Sequence, residues 1–194
     1  NISTNGTVLN YGIWLSTSAN FTIVNNNTIT TSGADSYGIR LDNTSSNNIT
    51  GNNLTGMQYD GLFIEGTTID HFITNTITDT NRINESQILY YGGAVGSPGC
   101  PNNQQISNST AAHIDFLNCV NVTFTNHTAQ EVVTLVNTSN TTVTGIRANK
   151  NKYGIRVLFT RGPNIITRNN ITASNTTIPG ALGIWLNNAD NTTI

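Results

Sequence analysis

Apolar and polar residues alternate along this chain in short runs, and the runs recur. A five-residue phrase appears as Tyr11-Gly12-Ile13-Trp14-Leu15, Tyr37-Gly38-Ile39-Arg40-Leu41 and Asp60-Gly61-Leu62-Phe63-Ile64. It returns as Tyr153-Gly154-Ile155-Arg156-Val157 and Leu182-Gly183-Ile184-Trp185-Leu186. A second phrase, rich in Asn, Thr and Ile, follows most copies. Examples are Asn27-Thr28-Ile29-Thr30, Asn48-Ile49-Thr50, Asn53-Leu54-Thr55, Phe72-Ile73-Thr74 and Asn170-Ile171-Thr172. Recurrence at roughly 20–29 residues is the mark of a solenoid, whose units bury their apolar faces only by stacking on one another.

Strand side chains alternate between faces with a period of two. In each phrase the residues at Ile13/Leu15, Ile39/Leu41, Leu62/Ile64, Ile114/Phe116, Ile155/Val157 and Ile184/Leu186 therefore point inward together. The phrases predict first strands near residues 12, 38, 61, 113, 133, 154 and 183, hence about seven coils. The Asn-Thr-Ile phrases supply two more strands per coil. The expected fold is all-β: a right-handed parallel β-helix with three short strands per coil. Asn residues such as Asn25, Asn52 and Asn169 recur near turns, where Asn tolerates left-handed backbone, and aligned copies can form amide ladders. Residues 80–111 break the rhythm and read as a long loop projecting from the side of a single 1–194 domain.

Composition narrows the setting. Only 9% of the 194 residues are charged, against roughly a quarter in an ordinary domain. The net charge of −2 is unevenly placed. Residues 35–85 carry Asp35, Asp42, Asp60, Glu65, Asp70, Asp79 and Glu85 against Arg40 and Arg82. Residues 147–168 carry Arg147, Lys150, Lys152, Arg156, Arg161 and Arg168 with no acid. Such a division suits solvated surface, or steering of a neighbour or an anionic glycan. An acidic chain with few aromatics in its basic segment is not expected to bind nucleic acid. No run approaches the ~20 apolar residues of a membrane helix. Cys100, in the 80–111 segment, and Cys119, in the next turn, are expected to form a disulfide that pins the segment to the body, which fits an oxidising, extracellular compartment.

The repeated phrases resemble those of right-handed parallel β-helix proteins, a superfamily that includes pectate lyases, polygalacturonases and NosD-type repeat proteins. The Asn/Thr-rich coils with Gly-Ile-x-Leu look most like surface and secreted proteins of methanogenic archaea. The likeness spans nearly all of the chain outside 80–111. It rests on core and turn positions, so it implies the fold more than an activity.

The outward column of the first strand reads Trp14, Arg40, Phe63, Asp115, Arg156 and Trp185, with Ser16, Asp42, Glu65 and Asn187 beside it. Exposed Trp14, Phe63 and Trp185, with Arg40 and Arg156, form the expected surface for a carbohydrate or a protein partner. Asp42 and Glu65 are the best carboxylate pair for glycoside chemistry. The paired aspartates and Gly-His-Gly of polygalacturonases are absent, as is a calcium-binding acid cluster like that of the pectate lyases. A surface ion pair is the simpler reading, and no enzyme is expected. His71, His113, His127, Met57 and two Cys are too few and too scattered for a copper site, although His113 and His127 could approach each other. No metal and no cofactor are expected.

About sixteen Asn-x-Ser/Thr triplets occur. Asn5, Asn20, Asn84, Asn108, Asn137 and Asn175 are expected N-glycan acceptors, although the strand phrase makes such triplets by itself. The chain opens on Asn1-Ile2-Ser3 and closes on Asn191-Thr192-Thr193-Ile194, both within a coil. A tail-to-head copy could continue the coil, or the segment could be an excerpt of a longer repeat protein. The expected role is an extracellular structural solenoid that stacks head to tail into a cell-surface filament, sheath or coat. The alternatives are a carbohydrate-binding module and a polysaccharide lyase or hydrolase.

Overall fold

A computed structural model describes the chain except residues 34, 150–152, 161 and 173–181. The first half contains β1 (Ile2–Asn5), β2 (Tyr11–Leu15), β3 (Ile23–Asn25), β4 (Thr28–Ser32), β5 (Tyr37–Asp42), β6 (Asn48–Thr50), β7 (Asn53–Thr55), β8 (Leu62–Glu65), α1 (Asp70–Ile73), β9 (Thr76–Ile77) and β10 (Arg82–Ile83). The second contains β11 (Ser86–Tyr91), β12 (Gln105–Ser107), β13 (His113–Leu117), β14 (Thr123–Thr125), β15 (Thr128–Ala129), β16 (Val133–Val136), β17 (Thr141–Thr144), β18 (Arg147–Asn149), β19 (Tyr153–Leu158), β20 (Asn164–Thr167), β21 (Asn170–Thr172), β22 (Leu182–Asn187) and β23 (Thr192–Thr193). The strands stack as a parallel β-solenoid of about seven turns. Each expected first strand is present, as β2, β5, β8, β13, β16, β19 and β22.

Those seven strands do not form one sheet. β2, β5 and β8 make a three-stranded sheet, and β3, β6 and β9 another. β13, β16, β19 and β22 instead continue the sheet begun by β1, β4, β7 and β10, giving nine strands with β11 at the junction. The cause is a hairpin. β10 and β11 pair antiparallel, whereas the ladders on either side of them are parallel. Their turn is Asn84-Glu85, both with positive φ (46° and 71°), the backbone of a tight twisted hairpin that Asn adopts readily. The reversal changes which phrase occupies the shared sheet. Segment 80–111 is therefore not a lateral loop: it supplies β10, β11 and β12.

The reversal also creates two cores on opposite faces of the shared sheet. Ile88 and Tyr90 join the core of the first stack, and Leu89 and Tyr91 pack on that of the second. Ile114, Phe116, Val133, Leu135, Ile155 and Val157 fill the second core, whereas Leu117, Val136 and Leu158 face the first. β13, β16 and β19 are buried along their whole length. The expected inward columns hold, fraying at the two ends: Ile13 in the first coil and Ile184 in the last are half-buried, and Leu186 is exposed.

Buried amides link the coils. Asn52 and Asn81 each accept from the backbone N–H and the side-chain amide of the coil before, at 3.0–3.1 Å. Asn47 and Asn75 continue this linkage on the next corner. Satisfying interior N–H groups this way removes a desolvation cost of about 1–3 kcal/mol per group. One phrase departs from expectation: Phe72-Ile73 lies in the single helical turn α1, with Phe72 buried and its carbonyl accepting from the Tyr90 hydroxyl. Cys100 and Cys119 are bonded, with Cα atoms 5.6 Å apart.

Candidate functional site

The outer face of the second stack's shared-sheet strands lies against the end of the first stack. β8 is the last strand of its sheet. Above it Glu131 accepts from the Gly61 backbone N–H, and Arg156 donates from Nη2 to the Ile64 carbonyl at 3.0 Å. Aromatic rings bridge the same junction. Tyr11 stacks on Tyr37 (5.7 Å), Tyr37 tilts against Phe63 (5.3 Å), Phe63 stacks on Tyr153 (6.1 Å) and Tyr153 on Trp185 (5.0 Å).

Beside this junction the two stacks leave a cleft of about 570 Å³. β5, β8 and the turn after it supply one wall: Arg40, Asp42, Asn43, Glu65 and Thr67. β19, β22 and their following turns supply the other: Arg156, Phe159, Trp185, Asn187 and Asn188. Thr67, Phe159 and Asn188 also border an adjoining depression of about 610 Å³. The volume lies within the usual range for a small-molecule site.

Charge in the cleft is arranged in pairs. Arg40 Nη2 lies 2.6 Å from Glu65 and 3.6 Å from Asp42; the two acids are register partners on β5 and β8. The Phe63 ring sits between two guanidiniums, Arg40 at 5.6 Å and Arg156 at 4.9 Å. Arg156 is 2% exposed, surrounded by Phe63, Tyr153, Trp185 and Phe72. Burial draws its pKa down, opposed chiefly by Asp115 and Asp60, and arginine remains a cation under such opposition. Its Nε has no partner among the described residues, nor do Oδ1 of Asp115 and Oγ1 of Thr134. These three residues are consecutive register partners across β13, β16 and β19, and Trp185 follows on β22.

Beneath this column lies a buried charged cluster. His113 Nε2 is 2.9 Å from Asp115, and Nδ1 is 3.1 Å from Glu131. Burial alone would lower the imidazole pKa. Asp115 and Glu131 outweigh it and raise it to about 10. His113 is thus an imidazolium holding two carboxylates, one of which binds Gly61.

Two expectations for the outward column are corrected. Phe63 is 1% exposed and Arg156 2%, because the second stack covers them; neither forms an open surface along the solenoid. Trp14, at 52% exposure, packs on Tyr11 at 5.2 Å and lies outside the cleft lining. Arg40, Arg156 and Trp185 do converge, but on facing walls rather than along one sheet, together with Asp42, Glu65 and Asn187. His113 and His127 serve separate roles: His127 meets the Ser109 carbonyl at 2.8 Å, and burial lowers its pKa. Residues missed in the sequence are Tyr153, whose only signal was a Tyr before the phrase glycine, and Thr67, Phe159 and Asn188, which lie in turns without pattern.

Asn5, Asn20, Asn84, Asn108 and Asn137 are exposed. Asn20 accepts from Ser45, and Asn137 donates to Asn118. Asn175 lies outside the described residues. Asn1 precedes β1, and Ile2 and Ser3 lie in it, at one edge of the nine-stranded sheet; Thr193 lies in β23, at the edge of the five-stranded sheet, with Asn191 and Ile194 on either side of that strand.

In comparison with known families, residues 1–94 match the family model described as "Periplasmic copper-binding protein (NosD)". That span ends just after the β10–β11 hairpin. Together with the stacked parallel ladders it decides the class. The chain is a right-handed parallel β-helix protein. Searches of curated proteins and of solved structures give no match.

The residues present do not fit copper. Both sulfurs of Cys100 and Cys119 are in the disulfide, both ring nitrogens of His113 face carboxylates, and one nitrogen of His127 is bound to backbone. Among the described residues no group of three or more His, Cys, Asp or Glu is arranged to hold a metal. Among those residues, too, no helix is long and apolar enough to cross a membrane. The disulfide is that of a chain folded in an oxidising, extracytoplasmic compartment.

Proposed function

We propose that this chain is a non-enzymatic extracellular β-helix that binds a saccharide in the cleft between its two stacks. The observation that carries the reading is the convergence of Arg40, Asp42, Glu65, Arg156, Trp185 and Asn187, from coils far apart in sequence, on one cleft. Trp185 offers an aromatic surface suited to a sugar ring. Asn43, Asn187, Asn188 and Thr67 offer amides and a hydroxyl for sugar hydroxyls, and the charged groups offer stronger hydrogen bonds. Binding rather than cleavage is favoured because both carboxylates are engaged by Arg40, an arrangement of ion pairing rather than of a free acid and nucleophile.

The test is a glycan array, followed by calorimetric titration of the strongest oligosaccharide. Trp185→Ala should weaken binding at least tenfold, and Trp14→Ala should leave it unchanged. Absence of any saccharide binding, or equal loss in both variants, would remove the reading. Release of new reducing ends during incubation would restore the hydrolase alternative.

A second reading, head-to-tail stacking at a cell surface, is favoured by one feature. Among the described residues β1, β22 and β23 each stand at the edge of a sheet, where main-chain groups can take up a strand of a second copy. Main-chain bonds across such a junction would carry the contact, as in strand addition. Electron microscopy of untagged protein decides it: filaments support stacking, and dispersed particles refute it. N-glycans fit best at Asn84 and Asn108, both on exposed turns, and intact-mass analysis of the native protein tests them.

A further inference from the structure

Most of the described arginines are committed. Arg40 pairs with Glu65 and Asp42, Arg82 donates to the Asp79 and Asn81 carbonyls, and Arg156 donates to Ile64. Arg147 and Arg168 are exposed, and their guanidiniums form no hydrogen bond or ion pair among the described residues. Both line a groove of about 460 Å³ beside the β15–β18–β21 sheet. The remaining lining is Asn126, His127, Thr128, Gly145, Ile146 and Asn170; no carboxylate is among them.

The groove follows from the coil geometry. Thr128, Arg147 and Asn170 are register partners on β15, β18 and β21. Asn126, Gly145 and Arg168, all with positive φ, form the turn column before them; the Asn126 N–H donates to the Thr144 carbonyl at 3.1 Å and the Gly145 N–H to the Arg168 carbonyl at 3.2 Å. Gly145 leaves the middle of that column without a side chain; a Cβ there would meet Asn126 Oδ1 at 2.6 Å. Arg168 is one coil and two residues from Arg147, a Cα separation of about 8 Å from the strand spacing and rise. Two guanidiniums at that distance can reach one group, and fixed N–H forks match oxyanions.

We infer that this groove is an oxyanion site for a sulfate or phosphate group, with Arg147 and Arg168 as paired donors and Asn126, Thr128 and Asn170 as flanking polar contacts. It is separate from the cleft and does not rest on saccharide binding there. The group can arrive as the free ion or as an ester on a glycan.

The test is calorimetric titration of the whole chain at low ionic strength with sodium sulfate, sodium phosphate and a sulfated hexasaccharide in turn. Binding of any of the three, weakened at least tenfold in Arg147→Gln and Arg168→Gln and falling with added chloride, supports the site. A hexasaccharide that binds at least tenfold more tightly than the free ions assigns the ester; similar affinities assign the free ion. Circular dichroism confirms that the exposed substitutions leave the fold intact. Trp185→Ala serves as the control and should bind these anions as the parent does. No binding of any of the three, or binding unchanged in the Arg147→Gln/Arg168→Gln double variant, overturns the inference.

Discussion

Arg156 and Ile64 are joined by a 3.0 Å hydrogen bond across 92 residues of chain. The bond ties the second stack's sheet to the last strand of the first stack, and it fixes one wall of the cleft. Removing the donor leaves the buried Ile64 carbonyl without this partner, a cost of about 1–3 kcal/mol. Arg156→Met is therefore expected to lower unfolding stability by about that amount in urea denaturation, and Arg156→Lys by less, since it keeps charge but not the fork. A loss below about 0.5 kcal/mol in Arg156→Met, short of that range, would show that the junction is held by aromatic packing instead.

His113 predicts a pH signature. Its folded-state pKa of about 10 lies above the ordinary 6.5. The stabilisation is thus fully present below pH 6.5, and is lost progressively as pH rises toward 10, where the folded state also releases the proton. His113→Gln removes this dependence and leaves Asp115 and Glu131 unneutralised. The stability difference between parent and His113→Gln, measured by denaturation from pH 6 to 10, should be several kcal/mol at pH 6 and shrink steadily toward pH 10. A constant difference across that range would place the imidazolium elsewhere.

Inward positions were legible in the sequence because burial repeats with the strand period: Ile39, Leu62, Ile114 and Ile155 are all fully buried. The turn from one stack to the other was not. It depends on Asn84-Glu85, two residues indistinguishable by composition from many other polar turns. Once that hairpin reverses the chain, side chains read as outward on β13 and β19 face the first stack instead. Phe63 and Arg156 therefore change from surface to interior without any change in their local pattern. The cleft shares that history. Its chemistry was present in the column of Arg40, Arg156 and Trp185, and its shape came from contacts that join Gly61 to Glu131 and Ile64 to Arg156.

The disulfide closes a loop with a sequence separation of 19. The chain-entropy relation gives about 3 kcal/mol for a loop of that size. Cys100→Ser/Cys119→Ser should lower stability by about this amount, with the loss falling on the segment that precedes β12. Protease nicking between Gly92 and Gln104 should rise in the double variant, while the first stack stays protected. Unchanged nicking would show that β12 pairing with β14 holds the segment by itself.

The glycine in second place of the phrase has a physical cause at Gly12, Gly38 and Gly154, and it yields the sharpest prediction about the repeat. A Cβ on Gly12 would lie 2.6 Å from the Gly38 carbonyl oxygen, on Gly38 2.6 Å from that of Gly61, and on Gly154 2.8 Å from that of Gly183. At these three positions one coil thus approaches the next closer than a side chain permits, whereas at Gly183 an added Cβ would meet only Ile171, at 3.8 Å. At Gly38 the nearest obstructing atom is main chain, which yields only by moving a coil; at Gly12 and Gly154 a methyl of Ile29 or Ile171 lies nearer still. Gly38→Ala should destabilise by about 1–3 kcal/mol, the usual range for overpacking. By contrast, Gly99, where an added Cβ would have no atom within 4 Å, should accept Ala with a change within about 0.5 kcal/mol. Thermal and urea unfolding of the two variants provides the comparison. Equal effects would mean that the repeat glycine answers to something other than the spacing between coils.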